Sequence, residues 1–92
     1  MFYSETTLEG IFLETVFAAR TGDITTVSTL LNKGVLLLHE ELKKNEYRSE
    51  DLKKIIFSLE TITMMQEAQN WVALADVLEY EFIQLWKSLT GQ

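Results

Sequence analysis

The absence of proline constrains this fold more than any other feature of the sequence. None of the 92 residues is proline, so no position interrupts a helix through a missing amide proton or a ring clash. Helix ends must instead come from glycine and from capping side chains. Long helices are therefore permitted throughout, and the glycines and caps indicate where each one stops.

These signals divide the chain into four helices joined by short polar connections. A serine, threonine, aspartate or asparagine just before an apolar segment is typical of a helix start, and a glycine just after one is typical of a stop. The predicted starts and stops are, in chain order, Ser4 or Thr6, Gly22, Asp23, Ser49, Asn70 and Gly91. The predicted helices cover about residues 5–20, 24–44, 50–68 and 71–89.

Each segment carries an apolar stripe when it is projected at about 100° per residue. The first helix has Leu8, Ile11, Phe12 and Val16; the second has Ile24, Val27, Leu31, Val35, Leu38 and Leu42. The third has Leu52, Ile55, Ile56, Leu59 and Ile62; the fourth has Trp71, Leu74, Leu78, Phe82, Leu85 and Leu89. Four such stripes predict an all-α fold, an antiparallel four-helix bundle that forms one domain over residues 1–92.

Gly34 lies beside the stripe of the second helix, and two explanations for it stay open. A missing side chain can let a neighbouring helix approach closely. The residue can equally be a tolerated glycine, which costs about 1 kcal/mol relative to alanine.

Charge and hydropathy exclude several classes of partner. The formal charge is −6, and negative charge repels nucleic-acid phosphate and anionic lipid. The lysines and arginines of residues 43–54 alternate with acids and form no basic patch. Val35–Leu38 is among the longest aliphatic runs, far short of the ~20 residues of a membrane span. Residues 1–9 lack the pattern of a secretory signal. We expect a cytoplasmic protein that binds neither nucleic acid nor membrane.

Catalytic, metal and cofactor motifs are also missing from the sequence. There is no cysteine, and His39 is the one histidine, so the usual zinc ligand sets cannot form. Leu36 stands where a ferritin-like di-iron motif needs glutamate three residues before histidine. The four glycines form no phosphate-binding loop. We expect no catalytic residue, no cofactor, no metal and no small-molecule substrate.

Apolar residues outside the stripes are the candidates for a binding surface. They either fill the sides of helices that touch two neighbours or form an intermolecular contact. The first explanation fits Phe57 and Met64 least well, because these residues lie off the core stripe of the third helix. A homodimer burying that pair, with Leu13 and Phe17 as further candidates, is the preferred intermolecular alternative. Other residues in second stripes are Leu13, Phe17, Leu30, Leu37, Val72, Ile83 and Trp86.

Glu79 completes the predicted binding surface on the fourth helix. Val72, Ile83 and Trp86 surround it in projection, and a carboxylate among apolar groups favours a cation or hydrogen-bond donor. Another helix could supply that cation; otherwise Glu79 is a solvated charge at the rim of the core. The available cations are Arg20, Lys33 and Arg48. The predicted partner-binding residues are Phe57, Met64, Val72, Glu79, Ile83 and Trp86.

The run Asn70-x-x-x-Leu74-Ala75-Asp76-Val77-Leu78-Glu79-Tyr80-Glu81 resembles the closing helix of small uncharacterised helical proteins of Gram-positive bacteria, in which aspartate often holds the position of Asn70. In size, charge and fold class the chain is also similar to flagellar export chaperones. The second resemblance implies an apolar groove for a client helix. We therefore expect a non-enzymatic protein that acts through protein contacts as a homodimer. The alternative is an export chaperone or adaptor that accepts a client helix in a groove near the fourth helix.

Overall fold

A computed structural model describes residues 7–90, and all of its regular structure is helical. The helices are α1 (Leu8–Arg20), α2 (Ile24–Lys44), α3 (Ser49–Glu67), α4 (Trp71–Val77) and α5 (Ile83–Thr90). A π-helical segment, Leu78–Phe82, joins α4 to α5. Together these three form one continuous fourth helix, because the residues at both junctions keep helical backbone angles. The predicted all-α class is confirmed.

Side-chain caps open three of the four helices. Oxygens of Thr7, Asp23 and Asn70 accept hydrogen bonds from the amide three residues later, at 3.1, 3.3 and 3.2 Å respectively. Each cap satisfies one of the amides that a helix start leaves without an intrahelical partner. The caps predicted at Asp23 and Asn70 are confirmed.

The start of α3 differs from the prediction. Ser49 is the first helical residue, and Arg48 holds the cap position without a side-chain hydrogen bond. The predicted Ser49 cap is therefore wrong. The signals predicted at Ser4, Thr6 and Gly91 lie outside the described residues.

The helices pack side by side in the order α2, α1, fourth helix, α3. Glu9 of α1 pairs with Lys87 of α5 at 3.4 Å, and Arg20 of α1 pairs with Asp76 of α4 at 3.1 Å. The start of α1 thus lies near the end of the fourth helix, so these two helices are antiparallel. No Cα atom of α2 lies within 8 Å of a Cα atom of α3. Since α2 and α3 would touch in a closed bundle of this order, closure of the bundle stays a prediction.

Close approach of α1 and α2 explains Gly34, which is buried where the two helices meet. A Cβ atom at Gly34 would lie 2.7 Å from Cε1 of Phe12 and 3.3 Å from Cγ2 of Ile11. The first distance is well inside van der Waals contact. The interpretation of Gly34 as a close-approach residue is confirmed.

One aromatic pair marks the middle of the core. The rings of Phe12 and Phe82 meet edge to face with centroids 5.0 Å apart, a favourable geometry for aromatic side chains. Leu74, Leu78 and Phe82 are fully buried, so the first half of the predicted fourth-helix stripe lies in the core. The π-helical segment then changes which residues follow it inward.

Candidate functional site

An apolar groove separates α2 from α3. It encloses about 610 Å³. The residues lining it are Leu31, Asn32, Val35, Leu36, Leu59, Ile62, Thr63 and Gln66. None of these side chains is ionisable. A lining without ionisable side chains between two helices is typical of a surface that binds another protein segment.

A second depression of about 470 Å³ continues the groove toward the α2–α3 connection. It shares Leu59 and Thr63 with the first and adds His39, Ile56, Glu60 and Met64. We refer to the two depressions together as the α2/α3 groove. On α2 it extends from Leu31 to His39, a length of about 12 Å at the helical rise.

Three aliphatic side chains stand exposed at this groove. Leu36 is 67% exposed, Ile56 53% and Met64 64%. Single exposed apolar residues are common on proteins, whereas a cluster beside a groove indicates an interaction site. Ile56 was expected in the core stripe of α3, and that expectation is wrong because α2 lies too far away to cover it.

Phe57 lines a different depression from the one that Met64 lines. It is 68% exposed and lines a separate depression of about 380 Å³ between α3 and α5. The other residues lining that depression are Lys53, Lys54, Ser58 and Leu85. The structure thus exposes both residues of the predicted pair but places them over two different depressions. Whether either residue binds a partner stays a prediction.

Two residues predicted for the binding surface, Ile83 and Trp86, belong to the core. Ile83 is 3% exposed and Trp86 is 8% exposed, so their expected exposed position is wrong. A π-helical turn contains about one residue more than an α-helical turn. The segment Leu78–Phe82 therefore shifts the inward face by one position. Ile83 and Trp86 turn inward, and Leu85 and Leu89 are only partly buried against the core.

Arg20 of the same chain is the cation that pairs with Glu79. Nη2 of Arg20 donates to Oε1 of Glu79 at 2.6 Å and to Oδ1 of Asp76 at 3.1 Å. Hydrogen bonding to Glu79, and then to Asp76, raises the pKa of Arg20 above its usual value. Arg20 is one of the three cations considered for this role. The arrangement links α1 to the fourth helix at the surface, so Glu79 already has a structural partner. Val72 is exposed on α4 but lines none of the depressions above.

Most of the remaining second-stripe residues are internal. Leu30 is buried, and Leu13 and Leu37 pack partly buried against the core. Phe17 remains exposed on α1. For the three leucines, the explanation that second stripes fill the sides of helices touching two neighbours is therefore correct.

Sequence reasoning missed the contribution of α2 to the groove. Leu36 was passed over and Val35 was assigned to the core stripe, yet both line the groove. The four consecutive apolar residues from Val35 to Leu38 were the sequence feature that could have indicated this. Four consecutive helical positions span more than one face, so at least one of them must point away from a single core contact.

Other kinds of site are not evident in the part of the chain that the structure describes. Among residues 7–90, no group of three or more histidine, cysteine, aspartate or glutamate side chains is placed to hold a metal ion. None of the described helices is both long and apolar enough to cross a lipid bilayer. Comparison of the chain with protein-family models, with curated proteins and with solved structures gives no match.

Proposed function

We propose that this is a non-enzymatic cytoplasmic protein that acts through protein–protein contacts, and that it forms a homodimer through the α2/α3 groove. The observation that carries the proposal is the clustering of exposed Leu36, Ile56 and Met64 along a mostly apolar groove, in which Glu60 is the one acidic lining residue. Water contact with these side chains is unfavourable, and covering each one returns about 1–2 kcal/mol.

A second copy of the chain suits this face because the face carries both a groove and protruding side chains. In a two-fold dimer each residue can meet the reciprocal residue of its partner, so one self-complementary surface is sufficient. Aliphatic side chains at the rim of one copy can then enter the groove of the other. The antiparallel bundle would be completed by this contact, with partner helices covering the gap between α2 and α3.

The distribution of charge also supports a second copy of the chain as the partner at the groove. α2 carries three lysines and two glutamates, and α3 carries four acids and two lysines. Together these two helices have a net charge of only −1, out of −6 for the whole chain. Two copies meeting through α2 and α3 therefore keep most of their like charges away from the interface, where repulsion would weaken association.

Light scattering after size-exclusion chromatography tests the proposal. The natural chain should have the mass of a dimer at micromolar concentration. Leu36→Asp with Met64→Asp should give monomers that remain helical by circular dichroism, because burying carboxylates in the groove is unfavourable. Val72→Asp is the matched control for Leu36→Asp alone, since each introduces one carboxylate at an equally exposed apolar position, Val72 outside the groove and Leu36 in it. A natural chain that is monomeric would refute the dimer, and a groove variant that stays dimeric would refute the groove as its interface.

An export chaperone or adaptor is the second candidate, and the shape of the groove favours it. About 12 Å of groove accommodates two turns of an amphipathic client helix. Neither Trp71 nor Trp86 lines the groove, so their fluorescence is a poor reporter of binding there. Methyl NMR signals of Leu36 and Met64 should instead shift when an amphipathic model helix is added. The chaperone is favoured if these signals shift while the protein alone is monomeric.

A further inference from the structure

The depression between α3 and α5 places the exposed ring of Phe57 beside two exposed lysines, on a protein that is acidic overall. We refer to it as the Phe57 depression. Lys53 and Lys54 both line it, and neither forms an ion pair with any residue of the range 7–90. This surface therefore offers two uncompensated cations beside an apolar ring, which suits an acidic partner that carries an aromatic side chain.

The same chain exposes a surface of the opposite character on its fourth helix. Tyr80 is 65% exposed and stands between Glu79 and Glu81 in the sequence. Glu81 is exposed and has no ion-pair partner within residues 7–90. Glu79 shares Arg20 with Asp76, so this region remains negative. We refer to Glu79, Tyr80 and Glu81 as the Tyr80 edge.

We propose that the Tyr80 edge of one copy docks in the Phe57 depression of another. The phenol ring would lie against Phe57, an arrangement that aromatic pairs favour. Glu81 would meet Lys53 and Lys54. The Phe57 depression and the Tyr80 edge are different surfaces, so the contact is heterologous and can repeat from copy to copy. It uses neither Leu36 nor Met64, so it can be tested in a chain from which the groove contact has been removed.

The test begins from the Leu36→Asp, Met64→Asp chain, in which the groove contact is removed. This chain should still associate at high protein concentration and low salt, because the Phe57 depression and the Tyr80 edge are intact. Lys53→Glu with Lys54→Glu should weaken that association by about tenfold or more, and Glu81→Lys should do the same. An equimolar mixture of the two charge-reversed chains should associate again, since acids on one copy then face lysines on the other.

Sedimentation velocity at low and high salt measures these differences. Lys43→Glu is the control, because Lys43 is an exposed lysine on α2 that lines none of the depressions; it should leave the association unchanged. Tyr80→Ser should weaken the association without altering charge. The proposal is overturned if the charge-reversed mixture fails to recover association, or if Lys43→Glu has the same effect as Lys53→Glu with Lys54→Glu. Neither result bears on the groove dimer, which is tested by the mass of the otherwise natural chain.

Discussion

Replacing Gly34 with alanine tests whether α1 and α2 are held at a distance that only glycine allows. The added methyl group would lie 2.7 Å from Cε1 and 2.9 Å from Cζ of Phe12. Phe12 is fully buried and meets Phe82 edge to face. Its ring cannot retreat without displacing a second buried ring, so either α2 or both rings must shift.

Two opposing terms determine the size of the effect. Overpacking a well-packed core costs about 1–3 kcal/mol, whereas alanine improves on glycine inside a helix by about 1 kcal/mol. We expect Gly34→Ala to lower the free energy of unfolding by about 1 kcal/mol, the difference between these terms. For a domain of this size that corresponds to a fall in Tm of about 4–8 °C.

A double-mutant cycle with Phe12→Leu provides the control. Leucine lacks the two ring atoms that the new methyl group would meet, so alanine should then stabilise by up to about 1 kcal/mol through helix propensity alone. Urea denaturation followed by circular dichroism measures all four chains. A Gly34→Ala chain that is more stable than the natural one, or a cycle without coupling, would contradict the close approach.

The remaining predictions concern the turns, the π-helical segment and the surface ion pairs. Gln69 holds a left-handed backbone (φ 57°) without being glycine, so Gln69→Gly should raise Tm. Gly22→Ala should lower Tm, because Gly22 has φ 80°, where an L side chain is strained. No atom lies within 4 Å of the added Cβ, so the loss would come from backbone strain and not from crowding. Deleting Glu81 should convert the π-helical turn to α-helix and leave a protein that is folded by circular dichroism. Deleting the exposed Glu60 is the control: it rotates the rest of α3, a regular helix, out of register with the core, and should unfold the protein. Arg20→Met should lower Tm more at low salt than at high salt, and a salt-independent loss would argue against its ion pairs with the fourth helix.

The sequence predicted the helices well because their signals are local. The caps at Asp23 and Asn70 each depend on a side chain and an amide three residues later, and neither needs a tertiary contact. The stripe of the fourth helix was correct as far as Phe82. It failed beyond that residue because regular periodicity contains no signal for one inserted residue, so Ile83 and Trp86 were assigned to the surface.

The candidate site was harder to predict because it depends on which helices touch. Periodicity shows that one side of a helix is apolar, and it does not show which neighbour covers that side. Ile56 looked like a core residue because it falls within the apolar stripe of α3 in projection. The close approach at Gly34 holds α2 against α1, and the structure leaves Ile56, Leu36 and Met64 uncovered beside a groove.

Isotope-filtered NMR on a mixture of labelled and unlabelled chains tests the groove dimer most directly, because it detects only contacts between different copies. The dimer predicts intermolecular contacts among the methyl groups of Leu36, Ile56 and Met64, and none from Val72. Contacts of this kind should disappear in the Leu36→Asp, Met64→Asp chain. A dimer whose intermolecular contacts arise from Val72, or a natural chain that shows no intermolecular contacts at millimolar concentration, would contradict the assignment of the α2/α3 groove as the interface.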